Sequence, residues 1–222
     1  MKSHIAKLFS LTVALMAFGA SSVFALPIVI TNDDPGNTGT DNVLFNDGTL
    51  NHAGLVVQGN FNGAGAGYIV DFTSASGSGL LMGGGGQAVV EGDTGNDPFT
   101  SLTFGLEGGA TFTRAILNPL ATDDGTIDFK VSYIDVIESL FEASFSVNGN
   151  GQNFFQIQAN DGAKITSITF SSLDTAFSEA KQFRLGGFAG PDTDIPSVPE
   201  AGATVMMLGA ALAGLALVRR RR

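Results

Sequence analysis

The sequence predicts an all-β protein: one antiparallel β-sandwich or jelly-roll-like domain, flanked by an N-terminal signal peptide and a C-terminal single transmembrane helix. Three observations predict it. Short runs of alternating apolar residues recur through the middle of the 222-residue chain, separated by Gly, Asn and Asp. The chain has no cysteine, so neither disulfides nor zinc-thiolate sites can hold the fold, and a hydrophobic core must do so alone. Eighteen phenylalanines, fifteen of them after residue 25 and many at alternating positions there, can supply that core with large rings.

The elements follow in order. Lys2 and Lys7 make a positive start, residues 8–20 are apolar, and Val23-Phe24-Ala25 places small or modest residues at the −3 and −1 positions of a cleavage site. Residues 1–25 therefore read as a secretory signal peptide cut after Ala25, with the Sec translocon and signal peptidase as first partners. Residues 26–42, polar and rich in Gly, Asp and Asn toward their end, read as a flexible N-terminal arm. The domain proper is expected over 43–190. Its strands fall at 43–45, 55–58, 68–72, 87–90, 102–106, 112–117, 127–133, 141–147, 153–159, 165–170 and 182–185.

Two hairpins are expected near the end of this series. Asn148-Gly149-Asn150-Gly151 would turn 141–147 into 154–159, and Asn160-Asp161-Gly162 would turn that strand into 165–170, since Asn, Asp and Gly accept the positive φ of tight turns. Residues 134–143 satisfy a short helix as well as a strand, with apolar Ile137, Leu140 and Phe141 among acids. Gly83-Gly84-Gly85-Gly86 lacks the Lys-Ser/Thr of a phosphate loop and reads as a connection.

Residues 191–197, with Pro191 and Pro196, form an extended linker to the last segment, 198–222. There, Val-Pro-Glu-Ala-Gly precedes an uncharged run over 203–218, which ends in Arg219, Arg220, Arg221 and Arg222. As a helix the run spans about 24 Å against a hydrocarbon core of about 30 Å, a length that suits a temporary anchor better than a permanent one. The arginines hold the end of the chain in the cytoplasm and place the domain on the other side.

This tail resembles a PEP-CTERM sorting signal, including its Val-Pro-Asp-Ser-Gly variant, at Val198, Pro199, Glu200, Gly202, Thr204 and the four arginines. Ala201 stands where the commonest form has a second proline. The resemblance covers about the last 25 residues. It implies a bacterial protein held first in the inner membrane by its C-terminal helix. An exosortase, a membrane-embedded cysteine protease or transpeptidase, then releases or transfers it to the cell surface or beyond, in a setting associated with exopolysaccharide. The alternative for the same residues is a permanent membrane anchor without sorting.

Charge narrows the function. The chain has 21 acidic and 11 basic residues; the leader carries off Lys2 and Lys7, and the tail Glu200 and four arginines. Residues 26–198 keep 20 acidic and 5 basic side chains, a net charge of about −15. Such a domain repels nucleic acid and anionic surfaces. His52 is the only histidine left after export, and no nucleophile-elbow motif accompanies it, so no catalytic triad is expected. The plentiful acids leave a two-carboxylate glycosidase open, though most sit in turns that want Asp structurally. Asp123, Asp124 and Asp128 around Gly125 are the best local set for Ca²⁺, but they lack the full EF-hand spacing and its distal Glu, and a solvated turn explains them better. No other cofactor is expected.

The reading that follows is a non-enzymatic envelope or extracellular-matrix protein, with a carbohydrate-binding or carbohydrate-active module, calcium-dependent or not, as the alternative. Against the alternative, the chain has no Trp and only Tyr68 and Tyr133 for stacking on sugar. A groove lined by either tyrosine with two convergent acids would favour it.

Overall fold

A computed structural model describes residues 26–33, 39–74, 79–83, 88–93, 97–149 and 151–191. Signal peptide, cleavage site Ala25, sorting motif, apolar run and terminal arginines all lie outside the described residues. Fourteen strands follow in order: β1 (Ile28–Thr31), β2 (Asp41–Leu44), β3 (Ala53–Gly54), β4 (Val56–Phe61), β5 (Ile69–Thr73), β6 (Leu80–Gly83) and β7 (Val89–Gly92) come first. Then come β8 (Ser101–Leu106), β9 (Arg114–Ala121), β10 (Gly125–Ile134), β11 (Glu138–Val147), β12 (Phe155–Ala159), β13 (Lys164–Ser171) and β14 (Phe177–Gly186). Among the described residues the one helical element is a 3-10 turn at Glu107–Gly109. None of their helices is long and apolar enough to cross a membrane.

Every strand pairing is antiparallel, as the short alternating runs predict. The strands join in the order β1-β12-β9-β14-β2-β4-β5-β8-β13-β10-β11, with β7, β6 and β3 branching from β14. Strand β2 is the corner. Its Asp41 and Asn42 pair with Leu185 and Arg184 of β14, while Val43 and Leu44 pair with Phe61 and Asn60 of β4. The sheet therefore bends there and curls almost into a barrel, with β1 and β11 as its two ends.

Phenylalanine rings from both halves fill the interior. Phe72 of β5 meets Phe183 of β14 with ring centroids 4.7 Å apart, Phe170 of β13 meets Phe177 of β14 at 5.2 Å, and Phe129 of β10 meets Phe155 of β12 at 4.8 Å. Each such pair contributes about 0.5–1.5 kcal/mol beyond the apolar area it buries. The alternation behind this is regular: in β8, Leu102, Phe104 and Leu106 are buried while Ser101, Thr103 and Gly105 face outward.

Four expectations are corrected. The 141–147 and 154–159 segments do not form a hairpin, nor do 154–159 and 165–170. Instead β11 pairs with β10 in unbroken register from Gly125↔Val147 to Ile134↔Glu138, β12 pairs with β9 and β1, and β13 lies between β10 and β8. The reason is packing. Phe145 on β11 and Phe155 on β12 approach the core from opposite walls, with centroids 5.5 Å apart, so the chain between them must cross the interior's edge instead of folding flat. The Asn-Asp-Gly turn has the expected backbone, with φ of 55° at Asp161 and 87° at Gly162, but it links two walls.

The helical alternative for 134–143 gives way to the β10–β11 hairpin, whose tip leaves Val136 and Ile137 exposed. The 26–42 arm contains an edge strand, because Ile28 is fully buried and β1 pairs with β12 from Ile28↔Ala159 to Thr31↔Gln156. Strand β14 runs five residues earlier than expected, interrupted by register shifts near Phe177/Glu179 and Lys181/Arg184 that break its alternation. Of the four-glycine run, Gly83 ends β6 and the rest lies outside the described residues.

Candidate functional site

The wall formed by β4, β5, β8, β13, β10 and β11 buries one face and presents the other to solvent. Strand register aligns the outward residues into rows. Val56, Thr73, Thr103, Thr169, Lys130 and Glu142 form one row across all six strands. Gln58, Asp71, Gly105, Ser167, Ser132 and Leu140 form the next. Ser101, Ser171, Asp128 and Ser144 form a third across four strands. Neighbouring strands lie about 4.8 Å apart, so the rows make a lattice of mostly polar groups.

Cross-strand bonds hold these side chains in place. Thr103 Oγ1 and Thr169 Oγ1 are 2.8 Å apart, Gln58 Nε2 donates to Asp71 Oδ1 at 2.9 Å, and Ser144 Oγ donates to Asp128 Oδ1 at 2.5 Å. Lys130 Nζ sits 3.1 Å from Glu142 Oε1, an exposed pair that adds at most about 1 kcal/mol to stability. The bonds fix rotamers while leaving further lone pairs and N–H groups facing solvent. Gly105 is the gap in the middle row. A Cβ there would come within 2.7 Å of the Thr166 carbonyl, because β13 bulges where its register with Ser132 and Tyr133 shifts.

At the β10–β11 side the face deepens into an open groove of about 390 Å³ lined by Asp128, Lys130, Glu142, Ser144, Ser171 and Leu173, among others. Leu173 is 99% exposed. Its turn is nonetheless tightly held: Ser172 Oγ donates to Asp174 Oδ1 at 2.9 Å and accepts the Thr175 N–H at 3.1 Å, and Asp174 Oδ1 accepts the Thr126 N–H at 3.0 Å. The Thr126 N–H, followed by the Ser172 hydroxyl, holds the Asp174 carboxyl below its ordinary value. A leucine on so constrained a turn forms a fixed apolar rim beside a polar floor.

The proposed calcium residues are dispersed among other tasks. Asp124 Oδ1 accepts the Gly149 N–H at 2.9 Å, Asp123 holds its turn through Thr175 Oγ1, and Asp128 lies on the outer face with Ser144. Among the described residues no three His, Cys, Asp or Glu side chains are grouped to hold a metal ion. Tyr68 stacks against Phe188 at 5.3 Å, Tyr133 packs on the core, and neither lines the groove. His52 is half-buried, its Nε2 without a hydrogen-bond partner among the described residues. Sequence reasoning missed the outer face because its rows draw on six strands far apart in the chain. The alternation of Ser and Thr with Leu, Ile and Phe in β8 and β13 was the available signal.

No family model and no curated protein matches the chain. A solved structure of a protein of unknown function from Acinetobacter sp. ADP1 aligns at 14% identity over 68% of this chain and 98% of that one, with a TM-score of 0.12, too low to carry an argument.

Proposed function

We propose that the chain is an exported, non-enzymatic envelope or extracellular-matrix protein whose C-terminal segment is read and processed by an exosortase. The observation that carries this reading is the composite tail, in which Val198, Pro199, Glu200, Gly202 and Thr204 lead into an uncharged run that ends in four arginines. The leader at the other end agrees with it. In support, the buried apolar core among the described residues runs from Ile28 to Leu185, the span that the sequence sets between its two terminal addresses. The two facing walls suit a sandwich of the jelly-roll kind, in which loops and the outer faces are left free for contact.

Peptide mass spectrometry of the native C-terminus, in membrane and extracellular fractions, tests the reading. An end within or just before residues 198–202, with the arginines gone, is expected. An intact Arg222 on mature membrane-held protein would make the tail a permanent anchor and end the exosortase reading.

A further inference from the structure

We propose that the outward face of the β4-β5-β8-β13-β10-β11 wall is a binding platform for a hydroxyl-rich polymer without negative charge, a neutral or amino-bearing polysaccharide, with the groove beside Leu173 as one subsite. This goes beyond the sorting reading and depends on it only for where the polymer is met.

The chemistry of the face selects this occupant. Of the sixteen residues in the three rows, eight are hydroxyls (Thr73, Thr103, Thr169 and five serines), one is an amide and four are charged. Sugar hydroxyls donate and accept at once, and so do Ser and Thr, whereas carboxylates accept and Lys130 donates. Such a face can meet hydroxyls in any local orientation. Three of its four charges, Asp71, Asp128 and Glu142, are negative, and the region from 26 to 198 has a net charge of about −15, which turns away uronate, sulfate and phosphate polymers. Leu173 offers an apolar contact to the C–H side of a sugar ring while Asp128, Ser144 and Glu142 take its hydroxyls.

On the opposite wall the central strand β9 is covered on both sides: Asn118 and Ile116 are buried on one, Ala115 and Leu117 on the other. The outer face of the six-strand wall, by contrast, is open to solvent and already ordered by cross-strand bonds. A preordered surface loses little side-chain entropy on binding. Without an aromatic ring on the face, each sugar contributes only a few bonds of about 0.5–1.5 kcal/mol each, so affinity for one unit is weak and grows along a polymer by multivalency.

Affinity electrophoresis of the full chain in detergent, in gels holding dextran, mannan, chitosan or alginate, tests this. Retardation is expected with at least one of the first three and not with alginate. Thr169→Arg and Ser144→Arg, which place a long cation on the outer face away from the core, should weaken retardation about tenfold, equivalent to about 1.4 kcal/mol. Ser178→Arg, at an exposed position of β14, should leave it unchanged, and unaltered circular dichroism and melting would show all three folded. No retardation by any neutral or amino-bearing polymer, retardation by alginate alone, or retardation indifferent to Thr169→Arg and Ser144→Arg in folded protein would overturn the platform. Self-association that Thr169→Arg abolishes, without retardation by polymer, would assign the face to a second copy and also overturn it. The C-terminal mass measurement is independent of every one of these outcomes, so the two readings fail separately.

Discussion

Asn153 joins the two walls where a hairpin was expected, and its replacement is the sharpest test of the fold. It is 2% exposed. Its Oδ1 accepts the Asn148 N–H at 2.9 Å, and its Nδ2 donates to the Pro119 carbonyl at 3.2 Å and the Asn148 carbonyl at 3.1 Å. Its own N–H donates to Asn118 Oδ1 at 2.8 Å, a bond that any residue here keeps. Asn153→Ala therefore removes three side-chain bonds. The two to Asn148 lie partly in reach of water and are worth about 1 kcal/mol together, whereas the buried Pro119 carbonyl loses a donor at about 1–3 kcal/mol. The sum is about 3 kcal/mol, or roughly 6–12 °C in Tm for a domain of this size.

Asn153→Asp keeps the shape and separates the terms. It faces a carboxyl toward two carbonyls in a buried place, so the folded state favours the protonated form and raises that group's pKa above its unfolded value of about 3.9. A raised pKa means that stability is retained below about pH 3.9 and lost as pH climbs toward the folded value. Urea melts across pH 3–8 should show Asn153→Asp nearest to wild type at acid pH and weakest near neutrality, with Asn153→Ala lower by a constant amount. Unchanged urea m-values would place the effect in stability alone. A loss under about 1 kcal/mol for Asn153→Ala, or a pH-flat Asn153→Asp, would refute the role of Asn153 as the pin of the crossing.

Other outcomes follow from the same geometry. Phe129→Ala removes a fully buried ring in contact with Phe145, Phe155 and Phe170, and should cost about 3–5 kcal/mol in urea unfolding. Asp174 has its carboxyl held below the ordinary range by the Thr126 N–H and the Ser172 hydroxyl, so its contribution is present above about pH 4 and lost as pH falls below that; Asp174→Asn should flatten that part of the stability curve. Because the Asp124 and Asp128 carboxylates already accept separate hydrogen bonds from the Gly149 N–H and the Ser144 hydroxyl, adding Ca²⁺ or EDTA should leave the melting temperature unchanged; a calcium-dependent rise would favour the metal reading.

The strand content was legible because alternation survives wherever one face is buried: in β4, β5 and β8 the buried residues are every second one. Pairing was not legible, because turn chemistry at Asn160-Asp161-Gly162 fixes backbone dihedrals but not which wall receives the next strand. Strands β1, β3 and β6 escaped notice through brevity, since two to four residues carry too little periodicity. The rows of the outer face needed pairing, and so could not be read from the chain. The reading of the tail rests on composition and order alone, since those residues lie outside the described ones.

On the proposed reading of the leader, the burial of β1 sets an order of events. If the leader is cut after Ala25, Leu26 and Pro27 alone separate the cut from Ile28, which is fully enclosed and paired with Ala159. A peptidase needs several residues of extended chain about its target, so β1 must still be undocked when the leader is removed. Its backbone then closes onto β12 as the last strand of that wall. On that reading the finished sheet is a product of maturation as well as of sequence, because β1 is the strand that covers the β12 edge.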